Sequence, residues 1–385
     1  MVKIITILTL LFTVLVLGLS LRGKPGNPTL EELSSLSWTE DGPFELSPER
    51  GRFALTISLV EDKSFHFSTS IARFATPDLG YDDGNYVSLF APGTSFAVIP
   101  GYILGKHLGN SQVGSFAIIA VFAFLNTVLV SAIARQLGAS SLASLLGGLV
   151  FLFATPAFTY AVTLYQHHIS TFFLLAGIFL LLKFRSWWSL AGVWFLIGLN
   201  IAVDYPNGLL MLPVVVMALL RLFQHKKVQN WLIIKFHSLG LITLIGMAVP
   251  LAFLLWFNYK SYGDYFQLAG TVPRVEAFTE DGLPTSPTET DPQNFMAFLE
   301  KERVSKTALG FFQTRNLLNG FYIHFISPDR GIIMYAPIVL FGMMGLFVLA
   351  KVKPAVSNFF LSIIGLNVLV YSLWGDPWGG WAFGS

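Results

Sequence analysis

Long apolar runs separated by short polar punctuation cover most of the chain. A helix needs about 20 predominantly apolar residues to cross a hydrocarbon core. On that basis spans are expected at Ile4–Leu21, Val113–Ala134, Ser141–Val162, His168–Phe184, Trp187–Val203, Pro206–Phe223, Phe236–Phe257, Gly331–Ala350 and Val356–Trp374. The pattern predicts an all-α polytopic membrane protein with about nine transmembrane helices, forming a single membrane-embedded domain over 1–385. Two stretches lack such runs, about 22–112 and 258–330, and read as long loops on one side of the membrane. The first run follows Lys3 and exceeds the roughly 7–15 residues of a signal-peptide core, so it is read as a retained anchor. The chain stops amid aromatics and glycines after Trp374, which fits a short protein or a C-terminally truncated one.

Composition agrees: 54% of the 385 residues are hydrophobic and 12% are charged, about half the roughly 25% usual in soluble domains. There is no cysteine, which excludes disulfides, thiolate metal sites and cysteine nucleophiles. Charge then orients the spans. Lys3, Arg135, Lys183, Arg185, Arg221, Lys226, Lys227, Lys235, Lys351 and Lys353 fall on one side, and all 22 acidic residues fall on the other. By the positive-inside rule the N-terminus is cytoplasmic and both long loops are outside. A multi-pass protein of the plasma membrane is expected, with its chemistry on the outer face and no nucleic-acid partner.

The first long loop carries the densest candidate chemistry. Ser47-Pro48-Glu49-Arg50-Gly51-Arg52-Phe53-Ala54 predicts a helix start, with Ser47 as N-cap and Pro48 at the first helical position. The helix is expected to run to about Glu61, and Phe53, Ile57 and Val60 would form one lipid-seeking face. Glu49, Arg50 and Arg52 thus gather at a helix N-terminus, which attracts anions. The plain alternative is that Glu49 only complements the dipole. Asp78-Leu79-Gly80-Tyr81-Asp82-Asp83-Gly84 reads as a turn-rich acidic cluster. Asp82 and Asp83 are candidate ligands for a divalent metal ion, or else ordinary turn residues. Phe96–Leu108 is too short to span and is interrupted by Pro100-Gly101, so an interfacial helix is expected. Its Lys106 would meet a lipid phosphate or snorkel to water.

In its order of elements, this region resembles the GT-C superfamily glycosyltransferases, in particular the protein O-mannosyltransferase and lipid A aminoarabinose transferase group. Those proteins have a motif of the form D-E-x-R-Y-A in the first outer loop. Glu49-Arg50-Gly51-Arg52-Phe53-Ala54 has the same spacing, and Phe90-Ala91-Pro92-Gly93 loosely resembles a later K-P-P element. Two departures are plain: Glu49 stands for the usual Asp, and Arg50 replaces the second acid. The resemblance implies an inverting transferase that moves a sugar from a polyprenyl-phosphate donor to a lipid, glycan or protein acceptor. Glu49 would be the general base, and Arg50, Arg52, Lys106 and Arg330 would hold the donor phosphate.

Other candidates lie at span edges. His167 and His168 could contact phosphate or metal, but adjacent helical residues point about 100° apart and do not chelate one ion well. Asp204 is an acid at membrane depth or a cap for the next helix. Glu300-Lys301-Glu302-Arg303 reads as a solvated surface helix. Ser327-Pro328-Asp329-Arg330-Gly331 repeats the order of residues 47–51 and is expected to open another helix, with Asp329 capping and Arg330 available to phosphate. The competing functions are a lipid-linked-sugar transporter or flippase and a non-catalytic assembly protein. Spans almost free of charge argue against coupled transport.

Overall fold

The computed structural model of the chain describes residues 2–29, 31–34, 43–44, 47–228, 231–275, 277–278, 284–285 and 307–375. The expected helix at 300–303 and the C-terminal 376–385 lie outside these residues. The described part is mostly helical. In chain order come α1 (Val2–Leu19), α2 (Ser47–Ile57), α3 (Thr69–Ala75), the hairpin β1 (Leu79–Asp82) and β2 (Asn85–Ser88), and α4 (Gly93–His107). Then follow α5 (Ser111–Leu137), α6 (Ser141–Phe153), α7 (Ala157–Ala161), α8 (His167–Lys183), α9 (Trp187–Val203), α10 (Asn207–Leu210) and α11 (Leu212–Leu220). A second hairpin, β3 (Phe223–Val228) and β4 (Trp231–Phe236), precedes α12 (Ile245–Tyr262) and β5 (Arg274–Val275). After a two-residue ladder of β6 (Ala277–Phe278) with β7 (Pro284–Thr285) come α13 (Leu317–Phe325), α14 (Ile332–Tyr335), α15 (Val339–Val352) and α16 (Pro354–Ser372).

Each of the nine expected spans contains helix, but fewer are continuous than expected. Among the described residues three helices are long and apolar enough to cross a membrane: Ser111–Leu137, Gly240–Tyr262 and Pro354–Ser372. Ser141–Val162 is broken at Thr155-Pro156, where the proline starts a new short helix rather than continuing the old one. Pro206–Phe223 is broken at Met211, with Pro213 at the start of α11. Gly331–Ala350 is broken at Ala336-Pro337 because a residue before proline avoids helical backbone. Between the sixth and seventh expected spans the chain pairs β3 with β4, from Phe223↔Phe236 to Val228↔Trp231, where only a loop was expected. Side-chain caps fix other helix ends: the Ser140 and Ser186 hydroxyls accept from the N–H groups of Ala143 and Ser189, both at 3.2 Å.

Three local expectations are corrected. The apolar face of α2 does not meet lipid. Phe53 and Ile57 are buried in protein, and Phe53 sits 5.3 Å from the Phe44 ring and 6.2 Å from that of Phe74. A helix carried on a loop needs such burial to hold its polar residues in place. Ser47 lies inside the first turn, and its hydroxyl donates to Asp78 Oδ2 at 2.5 Å instead of capping. Pro100-Gly101 does not break α4, which is a continuous helix from Gly93 to His107 packed on α5. Gly101 and Gly114 let the two backbones touch: a Cβ on either would fall far inside contact distance of the other's carbonyl oxygen.

The two long loops are joined to each other. A three-stranded antiparallel sheet runs β2-β1-β5, with Leu79↔Ser88 on one side of β1 and Leu79↔Val275 on the other. Arg274 Nη2 meets Asp78 Oδ1 at 2.9 Å, and its Nε donates to the Pro77 carbonyl at 2.8 Å. The β1–β2 turn has positive φ at Asp83 (44°) and Gly84 (80°), the backbone of a two-residue hairpin turn. The largest core joins these loop elements to the helix ends beside them, through Phe53, Phe74, Leu79, Phe116 and Phe257. A second core, with Trp194, Ile197, Met211 and Phe359, ties α8, α9, α11 and α16 together.

Candidate functional site: a buried arginine within reach of several carboxylates

Glu49 and Arg52 are three residues apart on α2 and therefore share a face. Glu49 is fully buried and Arg52 is 7% exposed. Glu49 Oε1 accepts the Leu164 backbone N–H at 2.5 Å. This bond ties α2 to the short segment between α7 and α8. Arg52 Nη1 donates to the Pro48 carbonyl at 2.9 Å, and its guanidinium lies over Phe90 at 4.5 Å and Tyr165 at 5.7 Å. A flat, weakly hydrated cation suits such a setting. Burial pulls the pKa of Arg52 below its ordinary value, and the charges of Asp204, Tyr165, Glu49 and Asp78 act against that pull.

Asp204 supplies the second carboxylate. It follows the last residue of α9, and its N–H donates to the Asn200 carbonyl at 3.1 Å. Gln166 Nε2 donates to Asp204 Oδ2 at 3.3 Å. Asp204 is half-buried, closed in by protein on one side and open to a cavity on the other. Burial raises its pKa above the ordinary 3.8, against the opposing influences of Arg52 and Gln166. The cavity has a volume of about 130 Å³ and lies where α8, α9, α10 and α16 meet. His167 also lines it, stacked 5.6 Å from Tyr165 and edge-on to Tyr160 at 4.6 Å.

The fold therefore brings Glu49, Arg52, His167 and Asp204 into one neighbourhood. The remaining candidates are engaged elsewhere. Arg50 Nη2 donates to the Thr76 carbonyl at 2.6 Å, pinning α2 to the end of α3. Lys106 is partly exposed and its Nζ pairs with Glu61 at 2.7 Å, and Tyr102 donates to the same carboxylate at 2.8 Å. His168 is an interior structural residue, with Nε2 2.7 Å from the Ala157 carbonyl and Nδ1 3.2 Å from Asn126 Nδ2. Asp82 is buried whereas Asp83 is exposed at the hairpin turn. Among the described residues no group of three or more His, Cys, Asp or Glu is placed to hold a metal ion. Asp329 does not cap a helix. Residues 328–330 form a turn, Asp329 N–H meets Ser327 Oγ at 3.2 Å, and α14 starts only at Ile332. The echo of residues 47–51 is one of sequence, not of backbone. Arg330 is half-buried within electrostatic reach of His324.

Sequence reasoning missed Phe90, Tyr165, Gln166, Asn200 and Asn207 as parts of this neighbourhood. For Asn200 and Asn207 a signal existed: both are amides inside otherwise apolar runs, where an unpartnered polar group is costly. No family model matches the chain, and neither does any curated protein or solved structure.

Proposed function

We propose that this chain is a membrane glycosyltransferase of GT-C type, with about nine membrane-crossing segments and its site on the outer face of the plasma membrane. It would move a sugar from a polyprenyl-phosphate carrier to a lipid, glycan or protein acceptor with inversion. The observation that carries the reading is Arg52. It is a buried cation within electrostatic reach of Asp204, Glu49 and Asp78, and Asp204 in turn lines a polar cavity at the ends of α8, α9 and α16. Buried charge is costly and concentrates where chemistry needs it. The reaction class is what the resemblance of Glu49-Arg50-Gly51-Arg52-Phe53-Ala54 to the GT-C first-loop motif implies.

In the proposed reaction an acceptor hydroxyl attacks the anomeric carbon. Its proton passes to a carboxylate, and the C–O bond to phosphate breaks with the electron pair leaving on the phosphate. Arg52 would stabilise the developing phosphate charge. The resemblance gives the base role to Glu49. Its full burial and its bond from Leu164 favour a second assignment, in which Asp204 takes the proton from the cavity side and Glu49 holds Arg52. Purified protein in lipid nanodiscs, given a radiolabelled polyprenyl-phosphate sugar, tests the reading. Binding followed by turnover supports it. Binding with vectorial movement and no transfer supports the transporter, and neither supports an assembly role.

A further inference from the structure

We propose that the cavity beside Asp204 binds one neutral, hydroxyl-rich ring and turns away sugars whose ring carries a further charged group, such as a carboxylate, besides the anomeric phosphate of the donor. This rests on the transfer reading and assigns the class of sugar that the site would take.

The chemistry of the walls points to such a ligand. Ser170 and Thr171 come from α8, Asn200 from α9, Asn207 from α10 and Asn367 from α16, so neutral hydrogen-bonding groups face inward from four helices. Leu174, Leu210 and Met211 supply apolar surface for the C–H face of a ring. The volume of about 130 Å³ holds several waters or one small ring. Amides and hydroxyls both donate and accept, as sugar hydroxyls do.

The amides are held in fixed orientations. Asn207 Nδ2 lies 3.0 Å from both Ser170 Oγ and Asn200 Oδ1, and Asn200 Nδ2 meets Met211 Sδ at 2.9 Å. This ladder links α8, α9 and α10. One acceptor is left over: Gln166 gives its Nε2 to Asp204, while its buried Oε1 has no hydrogen-bond partner among the described residues. A buried acceptor without a partner calls for a donor, which a ligand hydroxyl supplies.

Charge sets the selectivity. Among the described residues, the titratable groups that line the cavity are Asp204, His167 and Tyr371, and no Lys or Arg does so. Arg52 lies within electrostatic reach of Asp204 but is not among the residues lining the cavity. A sugar with an anionic ring substituent would therefore meet a carboxylate and an acceptor, with no Lys or Arg among the described lining residues to offset its charge.

The test is binding of free methyl glycosides to the full chain in nanodiscs, followed by saturation-transfer NMR. At least one neutral methyl hexopyranoside should bind saturably, and methyl glucuronide should bind at least tenfold more weakly. Thr171→Leu fills the cavity and should weaken neutral-glycoside binding at least tenfold. Asn367→Leu, on a different helix, should do the same should Thr171→Leu not fold. Asp204→Asn should narrow the gap between neutral and acidic sugars. Absence of saturable binding, equal binding of the glucuronide, or unchanged binding in both filling variants would mean a cavity holding water only and would overturn the proposal. Glycoside binding without transfer would remove the transferase reading and leave this site standing. Transfer without glycoside binding would remove this site alone.

Discussion

The backbone N–H of Leu164 donates to Oε1 of Glu49 at 2.5 Å, across 115 positions of sequence. That bond fixes a loop helix to the segment leading into α8, and so places Arg52 beside Tyr165 and Asp204. Replacing Glu49 with Ala would strand a buried N–H and remove one of the anions facing Arg52. A loss of about 1–3 kcal/mol is expected, read as a fall in the thermal midpoint. Glu49→Gln keeps an acceptor for Leu164 but removes the same anion, so its midpoint should fall less than that of Glu49→Ala.

Arg52→Lys keeps the charge and loses the planar group over Phe90 and Tyr165. Lysine does not reproduce that stacking. Transfer should fall at least tenfold and donor affinity should weaken. Phe90→Leu, which removes one ring, should cost about 1–2 kcal/mol of stability. Equal activity of Arg52→Lys and the parent would show that the stacking is incidental.

Asp204 gives a pH signature. Burial holds its pKa above the unfolded value near 3.8. Its neutral form therefore favours the fold, fully so below that value, and the benefit is lost as pH rises through the folded pKa. Asp204→Asn mimics the neutral form. Its thermal midpoint should exceed the parent's at about pH 8, and the two should converge at about pH 3.5. A constant difference across that range would place the effect elsewhere.

The Lys106–Glu61 pair is partly exposed, at 44% and 26% for the two side chains. Exposed pairs contribute about 0–1 kcal/mol. Lys106→Met should leave both the thermal midpoint and transfer nearly unchanged. A large loss of donor binding would restore Lys106 to the phosphate site.

Gly101 and Gly114 carry the contact of α4 with α5. Gly101→Ala or Gly114→Ala should cost about 1–3 kcal/mol through backbone displacement. Gly109→Ala is a weaker control because a Cβ there meets nothing, although its φ of +76° adds some strain. A midpoint for Gly101→Ala equal to that of the parent would contradict the close packing.

Much of the architecture was legible from hydrophobic runs, because helix-forming apolar segments declare themselves by composition alone. Their interruptions were less so. Pro100 sits inside a continuous helix while Pro156 starts a new one, and a proline alone does not tell the two apart. The β1–β5 pairing joins residues about 195 positions apart in register, Leu79 with Val275, and no local signal announces it. In the candidate site Glu49, Arg52, His167 and Asp204 stood out as charged or titratable groups near apolar runs. Lys106 and His168 carried the same signal and prove to be paired or satisfied structurally. Charge type marks a candidate, and only tertiary partners separate a working group from a packed one. Phe90 and Tyr165 carried no signal because aromatics are common throughout this chain.

The most direct test is single-turnover transfer from a radiolabelled polyprenyl-phosphate sugar, with the parent, Glu49→Gln and Asp204→Asn compared in nanodiscs. The parent should transfer. One amide variant should bind donor normally yet react at least about 100-fold more slowly, and the other should bind donor more weakly. A parent that shows no transfer, or amide variants that both react at the parent's rate, would contradict the account.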